Sequence, residues 1–236
     1  MEERFKSWDE FKAQIGRIAS VPQLTAGWDY AFRGCTDASW KLTTTLDRAR
    51  SFTSNGERGR YEDDLLNDFR REAVALLPPE SDLPNGNALA LLARHHGLPS
   101  SWLDWTTSPY VAAYFAYSGR AKDDRKPRLA IWCVTRARMG DLIHPDDIVD
   151  DPALLRFNPR ANRQRGIFIR SSSIVPPIET TLRPALIKFV MPASMNQKRQ
   201  ALTELDLMTI NATTLFGDLD GAARTSIDRM ERRALE

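Results

Sequence analysis

LARHHGLPSSWLDWTTSPYVAAYFA, residues 92–116, is the stretch whose reading decides the fold. It begins inside an apolar-periodic segment that predicts a helix over Gly86–His96, stopped by Gly97-Leu98-Pro99. It ends on Ser108-Pro109, an N-cap followed by proline at the first helical position, which predicts a second helix running to Gly119. Between the helices stand Asp104, Trp102, Trp105 and several hydroxyl residues, read as a connecting loop. Polar groups packed beside two tryptophans are partly buried and need partners. A loop of this kind on a rigid helical frame is a common place for binding.

Working outward, Ser7 to Glu10 reads as a capping box before a helix with Trp8, Phe11, Ile15 and Ile18 at helical spacing. Trp28–Gly34 (WDYAFRG) reads as a short strand closed by a turn, and residues 51–60 (SFTSNGERGR) as an exposed loop. A helix follows from Tyr61 to Leu77, with Leu65, Leu66, Phe69, Ala73 and Leu76 as its apolar face and Pro78-Pro79 as its stop. After a charged linker at 121–127 the period changes: LAIWCVT (Leu129–Thr135), GIFIR (Gly166–Arg170) and ALIKFVM (Ala185–Met191) read as strands. Residues 140–160 are rich in Pro and Asp and predict loop with a short helix. Ser194–Gln197 reads as another capping box opening a helix to Leu205, and a last helix covers Asp218–Arg233. Helices crowd the first half and strands the second, so the expected class is α+β.

A chain of 236 residues can bury a substantial core, and we expect one domain over 1–236, with the helix inside 1–25 packed on it. With 33 Lys plus Arg against 31 Asp plus Glu, the formal charge of +2 does not mark a nucleic-acid or membrane-surface binder. Cys35 and Cys133 are too few for a disulfide framework and lack zinc-site spacing. The opening MEERFKSWDEFKAQI lacks the apolar core of a signal peptide, and the expected location is the cytoplasm, with no membrane partner. GxxxxGK[ST], GxGxxG after a strand, HExxH and paired CxxC are all missing, and His95, His96 and His144 are the only histidines. No metal is expected.

Phe32-Arg33-Gly34 together with residues 92–116 resembles the FRG family, named for a Phe/Tyr-Arg-Gly motif and carrying a second signature like the 92–116 stretch. The chain departs from that signature at Arg94, where the family has Gln, at His96 for Tyr, Ser100 for Thr, and Ser101-Trp102 for Arg-Leu. Asn162–Phe168 (NRQRGIF) is similar to a later Gln-x-Gly-hydrophobic-Phe segment. Thr214–Gly221 (TLFGDLDG) is similar to a C-terminal element, with Gly217 where the family has Pro.

The motif order is in turn similar to that of ADP-ribosyltransferases of the Arg-Ser/Thr-Glu type. That resemblance implies a split β-sheet core flanked by helices, a helical N-terminal half, and NAD as the substrate. It implies Arg33 as the pyrophosphate ligand, beside a glycine, Gly34, that allows close backbone approach. Asp104-Trp105-Thr106 leading into Val111–Ala116 would then supply the ribose and nicotinamide contacts, Trp105 by stacking and Phe115 from the helix behind. An arginine fork suits a diphosphate, hydroxyls orient a ribose, and an aromatic face stacks on a base. Loss of nicotinamide leaves an oxocarbenium-like sugar that a carboxylate stabilises. The acid expected on a later strand stays open between Gln164, which carries no charge, Glu179 in a Pro-flanked loop, Glu62 and Asp104 itself. His95 is a further catalytic candidate: the helix C-terminus it occupies favours its protonated form.

Two functions follow. One is an NAD-utilising enzyme that transfers ADP-ribose to a protein or nucleic acid, or hydrolyses NAD; in bacteria the resemblance implies a toxin or phage-defence effector with a regulatory or antitoxin partner. The other is a non-catalytic module that senses a nucleotide or other ligand on the same fold.

Overall fold

A computed structural model describes residues 1–20, 28–78, 82–119, 128–156 and 158–233; the charged linker at 121–127 lies outside the described residues. In chain order the first elements are β1 (Glu2–Arg4), α1 (Trp8–Ala19), β2 (Tyr30–Cys35), α2 (Thr45–Ala49), α3 (Asn55–Val74) and α4 (Gly86–His95). Then come β3 (Trp102–Thr106), α5 (Pro109–Ser118), β4 (Arg128–Thr135), α6 (Arg136–Met139), β5 (Ile148–Val149) and α7 (Pro159–Arg163). The last are β6 (Gly166–Arg170), α8 (Ile178–Thr181), β7 (Leu186–Pro192), α9 (Met195–Leu207), α10 (Ala212–Phe216) and α11 (Leu219–Arg233). The class is α+β. The strands form one seven-stranded mixed sheet in the order β1-β7-β4-β2-β3-β6-β5, in which β1 runs parallel to β7 and the other pairs are antiparallel.

Strand alternation sorts the apolar residues onto two faces. Leu129, Ile131 and Cys133 of β4 join Phe32, Phe189, α1, α5 and α9 in one core cluster. Ala130, Trp132 and Val134 point the other way, joining Leu103, Trp105, Ile167 and Ile169 beside α6 and α8. α5 is apolar nearly all round and buries Val111 to Tyr114, Ala116 and Tyr117, as a helix at the centre of a core must. Trp8, wholly buried, anchors α1 to α9: its indole donates to Glu204 Oε2 at 2.8 Å and its amide to Gln197 Oε1 at 2.6 Å. Gln197 is therefore spent on α1, and the expected capping box at Ser194 does not form; Ser194 makes no side-chain cap bond.

Two other expectations change. The loop expected at 51–60 is mostly helix: α3 starts at Asn55, capped by Ser54 Oγ accepting from Glu57 N at 3.1 Å. What fastens its first turns is polar. Arg58, 3% exposed, forks Asp47 of α2 (Nε–Oδ1 2.7 Å, Nη2–Oδ2 3.1 Å), and buried Glu62 accepts from Ser101 N at 2.6 Å. The apolar face read there, Leu65 to Leu76, is only half covered, and Leu76 is exposed. Second, the connection within 92–116 is a strand, β3, hydrogen-bonded along its length to β6 from Trp102↔Arg170 to Thr106↔Gly166.

Candidate functional site

β3 meets β2 at a single register pair, Phe32↔Thr106, whereas β2 pairs with β4 along its full length. Where the β2–β3 ladder stops, side chains take over. Alternation puts Arg33 on the Ala31/Cys35 side of β2, and its Nη1 donates to the Asp104 carbonyl at 2.6 Å. Arg94, at the end of α4, grips the Asp104 carboxylate in a fork, Nε to Oδ1 at 2.8 Å and Nη2 to Oδ2. Its Nη1 also donates to Thr45 Oγ1 at 3.0 Å, and Thr45 is itself held by both backbone groups of Ser100.

A cleft of about 490 Å³ opens at this place, within the usual range for small-molecule sites. Phe32, Asp104, Thr106 and Phe168 come from β2, β3 and β6. Ala112 and Phe115 of α5 line it, as do His95 near the end of α4, Ala161 and Gln164 at α7, and Phe216 of α10. Phe115 and Phe216 meet edge to face with centroids 6.2 Å apart. Arg160 closes one side, paired to Asp218 and lying 5.4 Å over the Phe216 ring.

Burial alone would push the Asp104 carboxyl up, but the Arg94 charge and fork, then Arg33, outweigh it and hold the group below the ordinary range. The carboxylate stays half accessible, at 49% of its side-chain surface. For Arg94, burial works against the charge and Asp104 overcomes it. The pKa of Arg48 is pulled down by desolvation and then by the charges of Arg33 and Arg94. His95 is pushed the opposite way from the helix-terminus expectation. Burial, then the Arg160 charge and His96, lower its pKa, and the α4 carbonyls are capped by backbone N–H groups instead.

The expected contacts fall out as follows. Arg33, Gly34, His95, Asp104, Trp105, Thr106, Phe115 and Gln164 all border the cleft. The Gly34 approach is made by α5, not by open space: a Cβ there would lie 2.0 Å from Ala112 O. Trp105 is 2% exposed and packs in the opposite core cluster, so it offers no stacking face; its buried indole N–H has no acceptor. Thr106 Oγ1 donates to Gln164 O at 2.6 Å and accepts from Ser108 N at 3.1 Å, tying the end of β3 to the turn before β6. Gln164 caps α7, off the strand, and its amide donates to Leu215 O at 3.2 Å. Glu179 lies outside the cleft, where Oε2 accepts from Leu42 N at 3.3 Å. Glu62 serves α3, as above. Among the described residues lining the cleft, Asp104 is the only carboxylate.

Arg94, Asn158, Arg160, Phe168 and Phe216 were not among the expected contacts. Asn158-Pro159 is a legible helix start, with Asn158 Oδ1 accepting from Ala161 N at 3.1 Å, and it would have placed Arg160 and Gln164 on one short helix.

The FRG domain model matches residues 28–125, so this part of the chain is an FRG domain. No curated protein and no solved structure matches the chain. The matched span holds the Arg33 and 92–116 motifs. The 162–168 and 214–221 segments lie beyond it, yet Gln164, Gly166, Phe168 and Phe216 bring them to the same cleft.

Proposed function

We propose that the cleft binds NAD and that the protein is an NAD-utilising enzyme of the ADP-ribosyltransferase type, transferring ADP-ribose to a macromolecule or hydrolysing NAD. The observation that carries this reading is the meeting of four sequence-distant motifs around one cleft, whose lining holds guanidinium groups at the β2–β3 junction and the phenyl rings of Phe115, Phe168 and Phe216. The single-pair contact between β2 and β3 supports the finer reading of the sheet as split in the manner of those transferases. In this reading Arg33 meets the pyrophosphate and Phe115, Phe168 or Phe216 supplies the stacking face first ascribed to Trp105. Asp104 takes the place of the absent glutamate as the charge that steadies the departing sugar.

A non-catalytic nucleotide sensor is the second reading. It is favoured by the engagement of the expected reactive groups: Asp104 is held by Arg94, and the Thr106 proton is committed to Gln164 O. Incubation of the purified chain with NAD, following nicotinamide release, separates the two. Release that drops about 100-fold or more in Arg33→Ala and Asp104→Asn supports the enzyme. Bound NAD with no release supports the sensor, and release indifferent to Arg33→Ala removes the site assignment.

A further inference from the structure

Arg94 makes two separate attachments. One is to Thr45 Oγ1 at 3.0 Å, on an anchor fixed to Ser100 by a bond to its carbonyl at 3.1 Å and from its amide at 2.9 Å. The other is the fork on Asp104. The Arg94 side chain is 12% exposed, while the Asp104 carboxylate it holds is 49% exposed and borders the cleft. Losing the fork would therefore leave Arg94 still positioned and Asp104 free to turn.

The charges around the fork are unequal. Arg33 Nη1 stands 3.8 Å from Asp104 Oδ2, and Arg48 feels both Arg33 and Arg94. Arg33 and Arg94, the two guanidinium groups that contact Asp104, outnumber its single negative charge, which favours the entry of an anion such as a diphosphate. A guanidinium edge presents the same paired N–H donors to a phosphate as to a carboxylate.

We infer that Arg94 is an exchangeable clamp: a diphosphate entering the cleft takes the Arg94 fork from Asp104, and the freed carboxylate turns to the ribose of the ligand. This rests on the nucleotide reading of the site and adds a ligand-binding residue to it. Before ligand arrives, the acid is masked. Afterwards it is unpaired at the place where positive charge develops, so the diphosphate half of the substrate arms the site.

Calorimetric titration of the full chain with inorganic pyrophosphate tests the exchange. Arg94→Gln weakens binding by about tenfold or more, the loss of a bidentate charged contact. Asp104→Asn strengthens it by roughly fivefold, because the competing negative charge is gone. A second measurement needs no variant to fold differently. In protein labelled with ¹³C-aspartate, with Asp104 assigned by the signal missing from Asp104→Asn, the carboxyl titration midpoint rises when pyrophosphate saturates the site. Weaker pyrophosphate binding in a folded Asp104→Asn, a midpoint that stays put, or no pyrophosphate binding would each overturn the inference and make the pair a fixed strut. NAD as a second titrant keeps the two ideas apart. Exchange seen with pyrophosphate but no NAD binding sinks the NAD reading alone, whereas NAD cleavage with an unmoved Asp104 midpoint sinks the exchange alone.

Discussion

At the residue scale, Gly34 and His95, which both border the cleft, are also set by packing and charge. Gly34 leaves room for the α5 backbone: the Cβ of an alanine would sit 2.0 Å from Ala112 O and 2.8 Å from Ala116 N, and neither backbone atom can swing aside. Gly34→Ala is therefore expected to cost about 3 kcal/mol, at the upper end of overpacking effects, read as a lower urea midpoint. Gly217 is set by backbone as well. It ends α10 at φ +71, a left-handed conformation closed to proline. His95 allows a pH test. Its folded-state pKa lies below the ordinary value of about 6.5 because of burial, Arg160 and His96. Protonation then favours the unfolded chain. Stability is full above the ordinary histidine range, falls as pH drops through it, and levels off once the folded-state pKa is passed. Urea midpoints of the wild type and His95→Gln should therefore converge above about pH 7.5 and separate on acidification through this range; parallel curves would contradict the depressed pKa.

At the element scale, legibility followed the source of each element's stability. β4, β6 and β7 were readable to within a residue because their apolar runs are buried on both faces, and α4 and α5 because proline, glycine and a serine cap punctuate them. β1 carries the charged sequence Glu-Glu-Arg on a sheet edge, where burial leaves no apolar pattern. β3 was hidden because its alternate residues face different surroundings, Leu103 and Trp105 a core and Asp104 the cleft. The first turns of α3 were hidden by Gly56 and Gly59, and what holds them is the pair between Arg58 and Asp47 of α2, which no periodicity encodes. The cleft itself was half legible: the motif residues were visible, whereas Arg94 and Arg160 gain their meaning only from partners at Asp104 and Asp218. Arg58→Ala removes a guanidinium that is 3% exposed and leaves Asp47 with the Thr44 hydroxyl but without its cation. A loss of about 3 kcal/mol is expected. A double mutant with Asp47→Ala should recover part of it, and strict additivity of the two losses would show that the pair does not hold α3 in place.

At the scale of the whole molecule, the chain's two ends close on its middle. The cleft opens where β2 and β3 part, lined by Ala112 and Phe115 of α5 and by Phe216 of α10. β1 adds in parallel to β7 through Glu2↔Lys188 to Arg4↔Val190, and Phe5 N extends the pairing to Val190 O at 2.9 Å. α1 then lays Trp8, Phe11 and Ile15 against α5, β7 and α9. The N-terminal segment thus does two jobs for a site it never touches: it covers an edge strand that would otherwise offer unpaired backbone groups, and it backs the helix that forms one cleft wall. Trp8→Ala alone is expected to cost about 4 kcal/mol, through the cavity left by the indole and the loss of its bond to Glu204. Removing residues 1–19 should go further, abolishing the cooperative thermal transition and promoting association through the bared β7 edge. Calorimetry and light scattering on the shortened chain would show both effects. A shortened chain that melts cooperatively as a monomer would mean that the sheet from β7 to β5 supports itself, and that α1 is an accessory to the fold and no part of its core.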